Sequence, residues 1–265
     1  MQRRNVPRKK FSAGGALDFS DRKVALVTGA SRGIGRAIAE ALARDGIYVF
    51  VSFNLRAKEA AKCVDAIRRA GGAGEVIRAD VSRENQVHRM FRVIAQRTGR
   101  LDILVSNAGI APVVRDLERL TQKTWTETFA VNVMGAFLCA RGALPLLKRS
   151  SAGRIIFIGS AAARLGGNIG AHYSASKAAL AGFVEYLSRA VGQHRITVNI
   201  VEPGFVQTEL SASLHRTKAD IRAMCRNVPL KRVGTVKDIA NGVAFLAGDA
   251  AAYITRHKLA VTGGR

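Results

Sequence analysis

Apolar residues in this chain gather in short runs, and longer stretches of mixed apolar and polar positions separate them. Short apolar runs that end at glycine or polar residues are typical of buried strands. The pattern predicts about seven strands, at Lys23–Thr28, Tyr48–Phe53, Glu75–Ala79, Leu101–Val105, Arg154–Gly159, Ile196–Val201 and Lys258–Thr262.

The stretches between these runs carry apolar residues three and four positions apart, the spacing of amphipathic helices. They predict helices at Arg36–Arg44, Lys58–Ala70, from about Arg83, at Trp125–Leu147 and at Asp238–Leu246. Strands and helices that alternate with short links form a parallel sheet with helices on both faces. We therefore predict an α/β chain with a single-domain, doubly wound Rossmann-type sheet.

Composition narrows the class of protein. The chain has 265 residues, of which 48% are hydrophobic, enough for one substantial core. No apolar run reaches the ~18 residues that cross a bilayer, so we expect no membrane span. The three cysteines lie far apart without metal-ligand spacing, so we expect neither a disulfide framework nor a metal site. A reducing compartment and a cytoplasmic location follow.

The chain is strongly basic. Its 42 lysines and arginines against 19 acids give a formal net charge of +23. Such an excess favours an acidic partner, which could be nucleic acid, an anionic membrane or an acidic carrier protein, or it reflects solvated basic faces. No nucleic-acid motif occurs, and no aromatic residues interleave with a basic cluster. We expect no nucleic-acid partner, and an acidic carrier protein remains open.

Residues 1–20 form a basic amino-terminal tail that precedes a domain at 21–265. The tail has five basic residues before position 11, a Gly-Gly pair and no apolar periodicity. We expect it to be disordered. Because Arg-rich, acid-poor leaders also direct proteins to organelles, an organelle matrix is the alternative location.

A glycine-rich turn joins the first strand to the first helix. It runs from Thr28 to Gly35 and reads TGASRGIG. Glycines let a pyrophosphate approach the backbone, and the first helical N–H groups point at it. The turn contributes Gly29, Ser31, Arg32, Gly33, Ile34 and Gly35 to a predicted dinucleotide site.

The end of the second strand bears on the choice of nucleotide. A site specific for NAD places a carboxylate there, to bind the ribose 2′-hydroxyl. This chain has Asn54 and Arg56 and no carboxylate, and Arg32 lies in the glycine turn. A 2′-phosphate is therefore favoured over a hydroxyl, which predicts NADP(H).

Tyr173 and Lys177 lie four residues apart, so on a helix they share one face. A phenol ordinarily titrates near pH ~10. A neighbouring ammonium is expected to lower the pKa of Tyr173 towards neutrality, which would suit proton exchange with a substrate oxygen. His172 is adjacent in sequence but faces elsewhere on the helix, and we predict that it is a bystander.

The octet Thr28–Gly35 resembles that of the classical short-chain dehydrogenase/reductase family, and the likeness extends over residues 20–264. It implies a nicotinamide cofactor and hydride transfer between that cofactor and a CH–OH or C=O group. The further cofactor contacts that it implies are Asn54, Asp80, Val81, Asn107, Ala108, Gly109, Tyr173, Lys177, Pro203, Gly204, Val206 and Thr208. Asp80 could also cap the following helix.

The resemblance also implies four catalytic residues. Asn132 would lie at a helix kink and order a water on Lys177. Ser160 would bind the substrate oxygen, and Tyr173 would act as the general acid in reduction. Lys177 would hold the nicotinamide ribose and lower the pKa of Tyr173.

Within the family, the Tyr253–Thr255 and Pro203–Glu209 segments most resemble β-ketoacyl-acyl-carrier-protein reductases. This likeness implies a 3-oxoacyl thioester, bound to carrier protein or CoA, a substrate lid at 205–232, and a homo-tetramer or dimer. Arg256 and Thr262 depart from that group. A reductase of another secondary alcohol or ketone, such as a polyol, sugar or steroid, is the alternative, and a basic binding protein without turnover is the third.

Overall fold

Alternation of buried strands and amphipathic helices produces the predicted parallel sheet. The computed structural model describes Phe19 and residues 22–208 and 217–265. Nearly all of the basic tail predicted at 1–20, and residues 209–216 of the predicted lid at 205–232, lie outside the described residues.

All pairings in the seven-stranded sheet are parallel, in the order β3-β2-β1-β4-β5-β6-β7. The prediction of a single doubly wound α/β sheet is confirmed. The strands are β1 Val24–Val27, β2 Tyr48–Phe53, β3 Ala73–Arg78, β4 Ile103–Ser106, β5 Arg154–Ile158, β6 Thr197–Pro203 and β7 Lys258–Val261.

Helices cover both faces of the sheet. Helices α1, α2 and α9 pack on one face and α3, α5 and α7 on the other, each group with its own apolar cluster. The helices are α1 Gly33–Arg44, α2 Ala57–Arg69, α3 Glu84–Thr98, α4 Gln122–Phe129, α5 Gly135–Leu147, α6 Ala162–Leu165, α7 Ala171–Val191, α8 Lys218–Arg226 and α9 Val236–Ala247.

Strand β3 begins two residues earlier than predicted. The predicted strand starts at Glu75 and so leaves Gly74 outside. In the structure Gly74 pairs with Val49, and a Cβ at Gly74 would lie 2.5 Å from the Val49 carbonyl oxygen. Glycine is required there by this close approach of the two backbones.

The helix predicted at Trp125–Leu147 is divided. A π-helical turn, Ala130–Met134, separates α4 from α5 and contains Asn132. The whole run from Gln122 to Leu147 is long and apolar enough to cross a bilayer, and half of its most apolar window is buried inside the domain. Core helices meet the same criterion, so this run by itself does not indicate a membrane span.

Helix α5 packs closely on α3 through Gly142. A Cβ at Gly142 would lie 2.5 Å from a ring carbon of Phe91, which is buried. Gly182, in helix α7, has no atom within 4 Å of the same position. The two helical glycines therefore differ in the space around them and share the same low helix propensity.

We expect Gly142→Ala to lower the free energy of unfolding by about 1–3 kcal/mol, because the added methyl overpacks the α3–α5 contact. Gly182→Ala is the matched control and should raise it by about 0.5–1 kcal/mol through helix propensity alone. Urea unfolding followed by circular dichroism measures both. Equal effects of the two substitutions would contradict the packing argument.

Candidate functional site

The turns that follow β1 and β4 are joined by hydrogen bonds. The Thr28 hydroxyl accepts from the backbone N–H groups of Asn107 and Ala108, both at 3.0 Å. The Asn107 amide donates to the carbonyl oxygens of Thr28, at 2.8 Å, and Gly29, at 3.2 Å. Two loops about 80 positions apart in sequence are thereby held side by side at the carboxyl edge of the sheet.

The amino terminus of α1 is open for an anion. Its first turn has no acidic residue, and Arg32, the residue before the helix, caps no N–H group with its side chain. Gly29 and Gly33 have φ angles of 63° and 56°, which favour glycine. Among the described residues, only Thr208, at 4.0 Å, approaches a Cβ built on Gly33. Free N–H groups and the helix dipole make this turn a fitting cradle for a pyrophosphate.

A cavity of about 640 Å³ begins at this turn and runs along the carboxyl ends of the strands. Every residue predicted to contact the cofactor lines it, and so do three of the four predicted catalytic residues. The exception is Asn132, which is buried behind the wall. The structure thus brings the sequence-predicted residues to one place, and their individual roles stay predictions.

Asn132 bonds to the segment that follows the β4 turn. Its Oδ1 accepts from the Ile110 N–H at 2.8 Å, and its Nδ2 donates to the Ile110 carbonyl and the Ser176 hydroxyl, both at 3.0 Å. A Cβ on Gly109 would lie 3.1 Å from Asn132 Oδ1 and 3.6 Å from Lys177 Nζ. A glycine at 109 therefore leaves room between the amide and the ammonium.

Lys177 is buried on helix α7 and points at the end of β5. Its Nζ donates to the Ile158 carbonyl at 2.8 Å and lies 5.8 Å from the centre of the Tyr173 ring. Burial lowers the pKa of Lys177 to about 8. The ammonium therefore loses its proton much more easily than a solvated lysine does.

Tyr173 has a pKa above its ordinary value. Burial of the hydroxyl raises the pKa, and the hydrogen bond with Ser160 offsets only part of that rise. The expectation that the pKa of Tyr173 falls towards neutrality is wrong for this structure, because desolvation disfavours the phenolate more than the nearby groups stabilise it. Tyr173 consequently stays protonated at neutral pH.

Ser160 follows β5 and faces Tyr173. Its Oγ accepts from the Ala162 N–H at 3.1 Å, at the start of α6. Helix α6 is tied to the sheet by an ion pair between Arg164 and Glu202, 3.1 Å apart, in which Glu202 is only 2% exposed. Removal of Arg164 would leave a buried carboxylate without its partner, so this pair stabilises the loop that carries Ser160.

His172 is buried and makes a structural contact, which the sequence does not predict. Its Nε2 lies 2.8 Å from the Pro112 carbonyl, and since a carbonyl only accepts, the ring nitrogen donates. The Val114 N–H also donates to the Ile169 carbonyl, at 2.9 Å. These bonds join the start of α7 to the loop after β4, so His172 is a bystander only in the sense that it lies outside the cavity lining.

At the other end of the cavity lie Asp80 and two arginines. Asp80 Oδ1 accepts from the N–H and hydroxyl of Ser82, at 3.0 and 2.7 Å, so it stabilises the turn before α3 and does not cap the helix directly. Arg32 and Arg56 both line the cavity here. Arg56 is not among the cofactor contacts predicted from the sequence. The position of Arg56 just after β2 is the signal that could have identified it.

Part of the cavity lining is an apolar wall that the sequence does not predict. No motif marks it, because its residues come from four separate segments. Its apolar side chains include Ile110, Leu165, Ile169, Phe205 and Met224.

Comparisons with known proteins identify similar sequences over most of the chain. A family model described as enoyl-(acyl carrier protein) reductase matches residues 29–265. The chain is 40% identical over 245 residues to the 3-oxoacyl-[acyl-carrier-protein] reductase FabG of Escherichia coli, an alignment that covers 91% of this chain and 96% of that protein. It is 38% identical over 244 residues to the FabG proteins of Staphylococcus epidermidis and Staphylococcus aureus, covering 91% of this chain and 98% and 97% of those proteins.

The octet Thr28–Gly35, on which the resemblance was based, joins β1 to α1 in the parallel sheet and contributes to the lining of the cavity. The family match over residues 29–265 and relatives that align over nearly their whole length extend that resemblance to the entire domain. The chain therefore belongs to the short-chain dehydrogenase/reductase family, whose members are oxidoreductases that act on CH–OH or C=O groups.

Proposed function

We propose that this protein uses NADPH to reduce the keto group of a 3-oxoacyl thioester, carried by an acyl carrier protein or CoA, to the 3-hydroxyacyl form. The observation that carries the proposal is the single cavity that joins two sets of residues. The first set consists of Ser160, Tyr173 and Lys177. The second set is the open amino terminus of α1 with Arg32 and Arg56.

The described residues fit NADP(H). The uncapped first turn of α1 would hold the pyrophosphate, and Asp80 with Val81 would border the adenine. Arg32 and Arg56 offer two guanidinium groups to the 2′-phosphate, and charge-assisted hydrogen bonds to phosphate are strong. Pro203, Gly204, Val206 and Thr208 line the stretch beside the catalytic residues, where the nicotinamide end would lie.

When bound, the cofactor supplies a hydride to the carbonyl carbon. The protein contributes position and proton control. Ser160 donates to the carbonyl oxygen and orients it, and Tyr173, which burial keeps protonated, delivers its proton to that oxygen. Lys177, 5.8 Å from the Tyr173 ring, stabilises the phenolate charge that appears as the proton leaves. Asn132 and Lys177 then relay a replacement proton from solvent.

The substrate assignment rests on two lines of support. The similar proteins from Escherichia coli and the two staphylococci are named as reductases of 3-oxoacyl groups on acyl carrier protein. The apolar wall of the cavity suits an acyl chain, and the net charge of +23 suits an acidic carrier protein. The alternative remains reduction or oxidation of another ketone or secondary alcohol, such as a polyol, sugar or steroid.

Several wider expectations belong to the same proposal. Residues 21–265 act as one catalytic domain, and residues 205–232 act as the substrate lid, in whose described part helix α8 places Met224 on the cavity wall. The protein works as a homo-tetramer or dimer in the cytoplasm. Trp125, Met134 and Phe137, exposed on neighbouring helical segments, favour self-association.

Replacement of the proposed acid tests the chemistry. Tyr173→Phe should lower kcat for acetoacetyl-CoA reduction by about a thousandfold or more, because general acid catalysis is lost. Tyr186→Phe is the control, since Tyr186 lies on the same helix but is 73% exposed. The loss of NADPH absorbance measures the rate of reduction. Both variants should still bind NADPH, as measured by its fluorescence.

The same assay decides between reactions. Wild-type protein should reduce acetoacetyl-CoA and leave crotonyl-CoA, an enoyl thioester, unreduced. Reduction of the enoyl thioester alone would favour the reaction in the description of the matching family model. Turnover of polyols without turnover of thioesters would favour the alternative, and full activity of Tyr173→Phe would refute its role.

Removal of the two arginines that follow β1 and β2 tests whether the site prefers NADPH to NADH. The double variant Arg32→Ala, Arg56→Ala should raise KM for NADPH by about tenfold or more, because hydrogen bonds to the 2′-phosphate are lost. KM for NADH should change little. Arg92→Ala, at an exposed site on α3 outside the cavity lining, is the control. An equal rise for both nucleotides would show that the arginines do not read the 2′-phosphate.

The lowered pKa of Lys177 predicts a pH profile. Its ammonium is present below about pH 8 and is lost above it. Since kcat/KM reports the groups of the free enzyme, kcat/KM for NADPH in the reduction should be level below pH 8 and decline above it. A profile that stays level to pH 9.5 would contradict a role for the charged lysine.

A further inference from the structure

Arg265 lines the catalytic cavity, and neither the family motifs nor the proposed chemistry gives it a role. It shares the lining with Met224 and Asn227, at the end of helix α8. Residue 265 follows β7, at the opposite edge of the sheet from β3 and two strands beyond β5, which bears Ser160. Arg32 and Arg56 follow β1 and β2, so Arg265 approaches from the other side of the catalytic residues.

The backbone conformation of the two residues before Arg265 is fixed by close packing. Gly263 and Gly264 have φ angles of 69° and 94°, which favour glycine. A Cβ on Gly263 would lie 2.7 Å from a methyl of Val228, and one on Gly264 would lie 2.9 Å from the Pro229 ring. The Leu230 N–H donates to the Gly263 carbonyl at 3.1 Å. The chain is thus packed closely against the segment after α8 and directed to the cavity.

Arg265 has no carboxylate partner in the described structure. Among residues 22–208 and 217–265, no Asp or Glu forms an ion pair with it. Asp80 is the one acidic residue of the described chain that lines the cavity, and it follows β3, at the far edge of the sheet. Arg265 is exposed and lines the cavity together with apolar side chains, and an arginine in such a position is a ready site for a phosphate or carboxylate.

We propose that Arg265 is a specificity-determining residue that binds an anionic group which the oxo substrate carries away from its reacting carbonyl. The inference rests on the proposed function for the identity of the reacting ketone. Two sources supply such a group: the phosphate of a phosphopantetheine arm on the thioester side, or a carboxylate at the far end of the acyl chain. Both would pair with the guanidinium through charge-assisted hydrogen bonds.

Three thioesters separate these sources. Acetoacetyl-N-acetylcysteamine is uncharged, acetoacetyl-4′-phosphopantetheine adds the phosphate, and 3-oxoadipyl-N-acetylcysteamine adds a terminal carboxylate. Each is assayed with wild-type protein, with Arg265→Met, which keeps length and removes charge, and with Arg265→Lys, which keeps charge. Arg226→Met is the matched control, because Arg226 is exposed on α8 and does not line the cavity.

We expect Arg265→Met to raise KM by about tenfold for one charged thioester, the size of a lost charge-assisted hydrogen bond. Its kcat and its KM for the neutral thioester should change by less than about twofold, and Arg265→Lys should restore part of the loss. Loss with the phosphopantetheine substrate assigns the thioester arm, and loss with the oxoadipyl substrate assigns the acyl chain. Equal effects on all three substrates, or none, overturn the proposal.

Calorimetry measures binding without catalysis, so it tests the role of Arg265 independently of the proposed reaction. Binding of butyryl-4′-phosphopantetheine and of adipyl-N-acetylcysteamine, which lack the keto group, is compared between wild type and Arg265→Met. A selective loss of binding supports Arg265 even if wild-type protein reduces no thioester, an outcome that would refute only the proposed function. Unchanged binding of both analogues counts against Arg265 whatever the catalytic result.

Discussion

The site depends on the hydrogen-bonded contact between the turn after β1 and the turn after β4. These strands are neighbours in the sheet, but the chain leaves β1 towards β2 and leaves β4 towards β5, on opposite sides. A cleft opens where connections diverge in this way. Thr28 and Asn107 bridge the two turns at its base, with bonds of 2.8 to 3.2 Å. This contact holds the glycine turn beside the turn after β4, and both turns line the cavity that the catalytic residues share.

Burial then determines the chemistry of the cavity. The same low-dielectric surroundings raise the pKa of Tyr173 and lower that of Lys177, because each charged form loses hydration. The phenol is therefore kept as a proton donor. The ammonium donates to the Ile158 carbonyl, and no acid of residues 22–208 and 217–265 forms an ion pair with it. Such a pair is suited to a reaction in which negative charge develops on the phenol only as the proton is transferred.

The charged residues that line the cavity are mostly basic. Arg32 and Arg56 lie at the nucleotide end, Lys177 in the centre and Arg265 on the far side, whereas Asp80 is the one acid among the described lining residues. A basic cavity in a chain of net charge +23 attracts anionic ligands from a distance, and salt weakens this attraction. The arrangement links the composition of the whole chain to the phosphorylated ligands proposed for its site.

The amino-acid sequence by itself determined the seven-stranded parallel sheet, the glycine turn at the start of α1 and the placement of Tyr173 and Lys177 on one helical face. These features follow from local periodicity and from residue spacing within one element, which neighbouring positions encode. Only the tertiary structure decided that the helix kink expected at Asn132 is a π-helical turn. It also decided the buried bond from His172 to Pro112, the upward direction of the Tyr173 pKa and the approach of Arg265 to the cavity. Each of these depends on contacts or desolvation contributed by segments tens of residues or more away, and no local pattern in the sequence records which segments will meet.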